Sequence, residues 1–336
     1  MPDTMITMAH GSGGRLYKKL VEEIFLPAFD NDHLRPLTDS ALCDCPGEKI
    51  AMTTDSFVVR PRFFPGGDIG RLAICGTVND LAMSGAKPLY VTLGMILEAG
   101  LPLTELKLIC HSLAAAAREA KVQIVTGDTK VVEKGAGDGI YINTAGVGIF
   151  YDCHRHLLQK IARGDAIIIS GNIGDHGMAI MAAREKLDFQ PPLSSDVAPL
   201  NDLAKTLLQT VSEIHAFRDP TRGGVAATLN EWALDANCGI VLDETELPVS
   251  ADVQAACALL GMDPLYVANE GKMLIALPER YVEKALAACH SHKYGKNARV
   301  IGKVFVNNPG LVTLQTAFAT ERVVDMPEGE QLPRIC

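Results

Sequence analysis

Short β-branched and aliphatic runs alternate with stretches whose apolar residues recur at helical spacing along almost all of this 336-residue chain. Residues 50–53, 88–97, 122–126 and 140–150 read as strands, and residues 69–84 and 102–120 as helices between them. In the first helix Leu72, Cys75, Val78 and Leu81 make one apolar stripe for a core. The pattern restarts with a strand at 166–169 and continues with strands at 239–242, 273–277, 298–306 and 311–316. Helices are expected over 178–186, 200–211, 225–235, 251–260 and 280–292. Such alternation constrains the fold class to α/β (α+β). The polar segment 151–163 separates two apolar blocks, and the length favours two domains over one. We therefore expect domains over 1–155 and 156–318, the second a mixed sheet with helices, and a flexible tail over 319–336.

The charge balance removes several function classes. A net charge of −9 without any basic block argues against nucleic acid or an anionic membrane surface as partner. No apolar run approaches the ~18 residues of a membrane span. The first residues, Met1-Pro2-Asp3-Thr4, lack the basic and apolar regions of a signal peptide. Nine cysteines at irregular spacing fit a reduced, cytoplasmic protein.

Candidate chemistry gathers at a few places. His10-Gly11-Ser12-Gly13-Gly14 opens a helical stretch and could turn backbone N–H groups toward an anion, although glycines before a helix also serve as plain punctuation. It is not a Walker A loop, since no Gly-Lys-Ser/Thr follows. Asp55 and Asp128 each follow a strand, the latter in Thr126-Gly127-Asp128-Thr129-Lys130, and Asp80 stands on a helix one turn after Gly76. Singly, each aspartate is accounted for as a turn or cap residue. As a set, Asp55, Asp80 and Asp128 suit a hard cation such as Mg²⁺, with Gly127, Lys130 and Lys134 beside them for nucleotide phosphates. Asp219, Thr221 and Arg222, in Asp219-Pro220-Thr221-Arg222-Gly223-Gly224, are further cleft candidates. Glu270 reads equally as turn filler or as a buried general base. Gly171-Asn172-Ile173-Gly174-Asp175-His176-Gly177 looks like a phosphate-cradling turn without the Rossmann spacing. Cys43/Cys45 and Cys153/His154/His156 carry zinc-ligand residue types but no second pair at recognisable spacing, and the latter stretch reads as a solvated linker. The last ten residues carry Cys336 on a polar, proline-punctuated tail that spans at most ~33–36 Å, enough to bring the thiol into a cleft on its own subunit.

Taken together, these motifs resemble those of the HypE family of hydrogenase maturation factors, in the superfamily of aminoimidazole ribonucleotide synthetase. The resemblance runs from Ala9-His10-Gly11-Ser12-Gly13-Gly14-Arg15 through Thr54-Asp55-Ser56, Gly76-Thr77-Val78-Asn79-Asp80-Leu81-Ala82, Thr126-Gly127-Asp128-Thr129-Lys130 and Asp219-Pro220-Thr221-Arg222-Gly223-Gly224 to Pro333-Arg334-Ile335-Cys336. It implies a PurM-like subunit that dimerises through its N-terminal domains and binds ATP and Mg²⁺ in a cleft. It further implies that a HypF-type carbamoyltransferase loads a carbamoyl group onto Cys336. The subunit then dehydrates that group to a thiocyanate with ATP, Glu270 acting as base, and a HypC–HypD-type scaffold receives the cyanide for the iron of a nickel–iron hydrogenase. The competing expectations are selenophosphate synthetase, thiamine-phosphate kinase, or a non-catalytic carrier using Cys336. The first of these looks for a reactive Cys or selenocysteine where this chain has His10-Gly11-Ser12, and neither of the first two needs a terminal thiol.

Overall fold

The structure is a computed structural model that describes residues 5–11, 19–35, 49–151, 160–327, 332 and 334–336. Ser12, Gly13 and Gly14, the Cys43/Cys45 and Cys153/His154/His156 clusters and the expected domain boundary at 155/156 lie outside the described residues.

The first sheet contains β1 (Ile50–Phe57), β4 (Ala86–Glu98), β5 (Gln123–Val132) and β6 (Ile140–Phe150), in the order β1-β6-β4-β5. A two-residue hairpin, β2 (Phe63–Phe64) and β3 (Gly67–Asp68), stands apart from it. Only β4 and β5 run parallel, and helix α2 (Leu103–Ala120) crosses between them. With helix α1 (Ile69–Met83), α2 covers one face of the sheet. The two-residue period of β1 then divides its side chains. Thr53, Asp55 and Phe57 lie on the α1 side, while Ile50, Met52, Thr54 and Ser56 are exposed on the other. α1 starts where Asp68 accepts from the backbone N–H groups of Gly70 and Arg71, an N-cap worth about 1 kcal/mol.

The second sheet has seven strands in the order β13-β12-β9-β11-β7-β10-β8. These are β7 (Asp165–Ile169), β8 (Ala216–Arg218), β9 (Gly239–Asp243), β10 (Leu274–Pro278), β11 (Arg299–Phe305), β12 (Val312–Gln315) and β13 (Glu321–Val323). Only β12 and β9 pair in parallel. Its interior strand β7 reads Ile167-Ile168-Ile169 because both faces are covered. Ile167 and Ile169 pack with Leu229 and Trp232 of α5 (Gly224–Asp235). Ile168 packs with Leu203 and Leu207 of α4 (Asn201–Thr210) and with Ala285 of α7 (Val282–His290). Full burial of one such isoleucine contributes roughly 1.5–3 kcal/mol. Helices α3 (Asp175–Glu185) and α6 (Ala251–Leu260) complete this half. Ala82 and Met83, at the end of α1, sit in the same apolar cluster as Ile168 and Leu203, so the two halves share packing.

Three expectations change. Gly127-Asp128-Thr129-Lys130 does not follow a strand: β5 continues through it, because the 13-residue β4 pairs along its length as far as Glu98 with Val132. Asp55 likewise lies within β1. Inside the stretch expected to be tail, β13 pairs with β12 through Thr313–Val323, Leu314–Arg322 and Gln315–Glu321. Among the described residues no helix is long and apolar enough to cross a membrane.

Candidate active site

Between the two sheets lies a cavity of about 470 Å³ whose walls come from distant parts of the sequence. β1 supplies Asp55, α1 supplies Gly76 and Asp80, and the turn after β8 supplies Asp219, Thr221 and Arg222. Glu270 closes it from the turn before β10, and Cys336 reaches it from the end of the tail.

The acidic residues are held by a backbone framework. Asp80 accepts from Thr53 Oγ1 at 2.8 Å, which ties α1 to β1. Asn79, fully buried, donates Nδ2 to the carbonyls of Ala198 and Glu270 at 3.1 and 3.2 Å and accepts from Leu200 N at 2.8 Å. Asn269 accepts from Gly174 N at 2.8 Å and donates to Pro220 O at 2.9 Å, fastening the Glu270 turn to the Asp219 turn. Glu270 N donates to Asp196, whose other oxygen pairs with Lys272 at 3.0 Å. The residue after Glu270 must be glycine, since a Cβ on Gly271 would stand 1.8 Å from the carbonyl oxygen of Asp196.

Burial dominates the electrostatics. It raises Asp55 above the usual carboxylate range, and it raises Asp80 likewise with Asp55 adding to the effect. Asp219 is pushed up to about 7 by burial and by the charge of Asp80. Glu270 is driven well above the ordinary value by burial and then by Asp219 and Asp196. Its carboxyl has no hydrogen-bond or salt-bridge partner among the described residues, which leaves it open to a ligand. Clustered acids with raised proton affinity are what a catalytic cleft presents before charge arrives to balance them. Among the described residues no three His, Cys, Asp or Glu side chains converge closely enough to hold a metal alone.

The remaining candidates stand elsewhere on the subunit. Asp128 is three strands from Asp55 in the sheet order, roughly 14 Å at the usual strand spacing. It lies exposed on the face that also carries Ser56 and Asn143, paired with Lys130 at 2.7 Å, and that pairing holds it below its ordinary pKa. Lys134 lines a separate cavity with Arg62, Glu98, Glu105 and Asp138. His10 is buried in a turn where its Nδ1 accepts from Thr7 N at 3.1 Å, and Gly11 ends the same turn. Gly127 sits in β5 against the Leu93 carbonyl. Asn79, Asn269, Asp196 and Lys272 were not singled out from sequence. Asn79 and Asn269 each precede a singled-out acid by one residue, and that adjacency was the available signal.

Comparison with known proteins now adds identity. The AIR synthase related protein N-terminal domain matches residues 37–150, and the corresponding C-terminal domain matches residues 162–312. Carbamoyl dehydratase HypE of Cupriavidus necator is 50% identical over 332 residues, which is 98% of this chain and 95% of that protein. A crystal structure of hydrogenase maturation protein HypE in complex with ATP superposes with a TM-score of 0.94 at 46% identity, covering 98% of this chain and 99% of that one. A HypE chain from a HypE–HypF complex superposes at 0.80 with 51% identity over 92% of this chain and 99% of its own. With half its residues shared along essentially the full length of both proteins, the chain belongs to the HypE family of hydrogenase maturation enzymes, the carbamoyl dehydratases.

Proposed function

We propose that the protein carries a carbamoyl group on the sulfur of Cys336 and uses ATP to dehydrate it to a thiocyanate. The observation that supports this most is the position of Cys336 in the same cavity as Asp55, Asp80, Asp219, Arg222 and Glu270. A purely passive carrier has no use for that acidic cleft, and a kinase of the same fold has no use for the thiol.

The chemistry assigns work to each group. An amide oxygen is a poor leaving group, and transfer of the γ-phosphoryl group of ATP onto it converts it into phosphate. One N–H proton is lost as the C=N bond forms. Loss of the second proton, with departure of phosphate, leaves S–C≡N, ADP and inorganic phosphate. Glu270, with its raised proton affinity and open carboxyl, is suited to take these protons. Asp55 and Asp80 make no ion pair among the described residues and fit a magnesium site of two carboxylates completed by phosphate oxygens. Magnesium bound there would neutralise charge on the transferring phosphoryl group. Arg222 and Thr221 line the same wall, and their donors suit contact with the phosphates. Because the substrate is tethered, the step is intramolecular and the intermediate is retained.

Asp128, Lys130 and the exposed Ile50, Met52 and Ile96 share the uncovered face of the first sheet, which suits homodimerisation. Their part in nucleotide binding would then fall on the surface where a second copy packs; Gly127, Lys134 and the segment from His10 to Gly14 belong to the same reading. A HypF-type carbamoyltransferase loads Cys336, a HypC–HypD-type scaffold receives the cyanide, and the setting is cytoplasmic. The working division of the chain is 1–155, 156–318 and a tail.

Intact mass tests the proposal. Incubation with the carbamoyltransferase should add one carbamoyl group at Cys336, and ATP should then remove one water. Cys336→Ala should fold and remain unloaded, while Asp80→Asn should load but retain the water. Loading elsewhere on the Cys336→Ala protein would overturn the proposal.

A further inference from the structure

The end of the tail is seated by hydrogen bonds to all three of its final carbonyls. Arg334 O accepts from Arg60 N at 3.1 Å and from Arg184 Nη2 at 2.9 Å, and Cys336 O accepts from Val58 N at 3.1 Å. Between them, Ile335 O meets Nε2 of His176 at 3.0 Å. Ile335 is 3% exposed in the core of the first domain, and Leu332 lies where a side chain on Gly177 would stand. Arg334 takes a left-handed φ of 56° that turns its guanidinium to Val58 O and Asp138.

His176 is the one side chain in this set with no exposure to solvent. A carbonyl only accepts, so Nε2 must carry hydrogen. Burial disfavours the imidazolium, so Nδ1 is the acceptor, and Ser195 Oγ at 2.7 Å donates to it. Val197 N in turn donates to Ser195 Oγ at 3.1 Å. The next residue in that loop, Asp196, holds Glu270 N at 3.1 Å. One short loop thus fixes the ring that seats the thiol and the backbone of the acid opposite it.

We propose that His176 is a positioning residue: its Nε2–H, oriented by Ser195, holds the carbonyl before Cys336 and sets the thiol in register with Glu270. Its bearing on catalysis rests on the role proposed above for Cys336, whereas its bearing on tail seating does not. His176 touches no reacting atom and acts through Ile335.

Alkylation of Cys336 by iodoacetamide in the full-length protein, followed by mass on the C-terminal peptide, reads seating without any carbamoyl chemistry. His176→Phe keeps the ring and removes the donor. It should raise the alkylation rate severalfold, toward that of a free peptide with the same last ten residues. His176→Gln, whose amide can restore the donor, should recover most of the protection. Carbamoylated His176→Phe should convert to thiocyanate more slowly, with loading by the carbamoyltransferase not reduced. Should His176→Phe fail to fold, Ser195→Ala leaves the ring in place without its orienting hydroxyl and should show the same increase. Wild-type alkylation rates in folded variants, or no recovery with Gln, overturn the inference. Protected alkylation without any ATP-dependent loss of water overturns the proposed reaction and leaves the seating role standing.

Discussion

Asn79 Nδ2 and the backbone carbonyl of Glu270 meet at 3.2 Å across 191 residues of sequence. This bond, with those to Ala198 and Leu200, fixes the helix of Asp80 against the turn of Glu270. Asn79→Ala should lower unfolding free energy by about 2–4 kcal/mol, since buried backbone partners lose their bonds. Asn79→Asp should cost more, because a carboxylate oxygen would replace the amide that donates to two carbonyls. Urea denaturation measures both, and a loss below about 0.5 kcal/mol for either would contradict the bridging role.

Asp219 binds a proton more readily folded than unfolded, its pKa rising from 3.8 to about 7. The folded state therefore takes up protons in that window, and stability falls as pH rises from about 4 to 7. Asp219→Asn removes the penalty and should stabilise the protein at pH 8, by at most ~4 kcal/mol, with little effect at pH 4. Thermal unfolding at the two pH values checks this, and a gain equal at both would contradict it.

Glu119 shows the opposite sign. Burial opposes its charge, but hydrogen bonds from Lys293, Tyr294 and Arg71 outweigh it and hold the pKa down to about 2. Its stabilisation is present at neutral pH and is lost as pH falls from about 4.5 to 2. Glu119→Gln should cost about 2 kcal/mol at pH 7, allowing for partial exposure, and progressively less in acid. Urea midpoints across pH 2–7 test the convergence. Because Arg71 and Tyr294 belong to different halves of the molecule, limited proteolysis should also become faster at neutral pH.

Gly76→Val should impair ATP turnover before it impairs folding. A Cβ there meets the Phe57 ring at 3.0 Å and Asp55 Oδ2 at 3.6 Å, so the larger side chain crowds β1 and the cavity wall. The helix itself gains from replacing glycine. Thermal stability within about 1 kcal/mol of wild type with undiminished ATP hydrolysis would show that the cleft does not need this space.

Much of the architecture is legible from local pattern, because strands such as β6 and helices such as α2 carry strong periods. β13 is not: Glu321, Arg322 and Val323 are all exposed, so no burial constrains them to alternate. Gly127 read as the end of a strand, since glycine is depleted in sheets, whereas pairing with β4 carries the backbone through it. Within one subunit Asp128 therefore stands three strands from Asp55. The meeting of Asp55, Asp80, Asp219 and Glu270 depends on bonds such as Asn79–Glu270 and Asn269–Pro220, which no window of sequence contains. His176 is hidden for a different reason: Gly171, Gly174 and Gly177 around it look like a phosphate cradle, whereas Gly177 makes room for Val267, with Leu332 beyond it.

β13 fixes the root of the tail: Val324 is buried with its N–H on Val312 O, and Asp325 O accepts from Tyr266 Oη at 3.0 Å. Eleven residues follow Asp325, a leash of about 36–40 Å at full extension. On the proposed reaction a loading enzyme must bring its own pocket inside that radius, over the mouth of the cleft rather than anywhere on the surface. Lengthening the leash by a few glycines and serines should be tolerated, since loop entropy grows slowly with length. Shortening it should strand the thiol inside, leaving a subunit that folds, binds nucleotide and is never supplied with substrate.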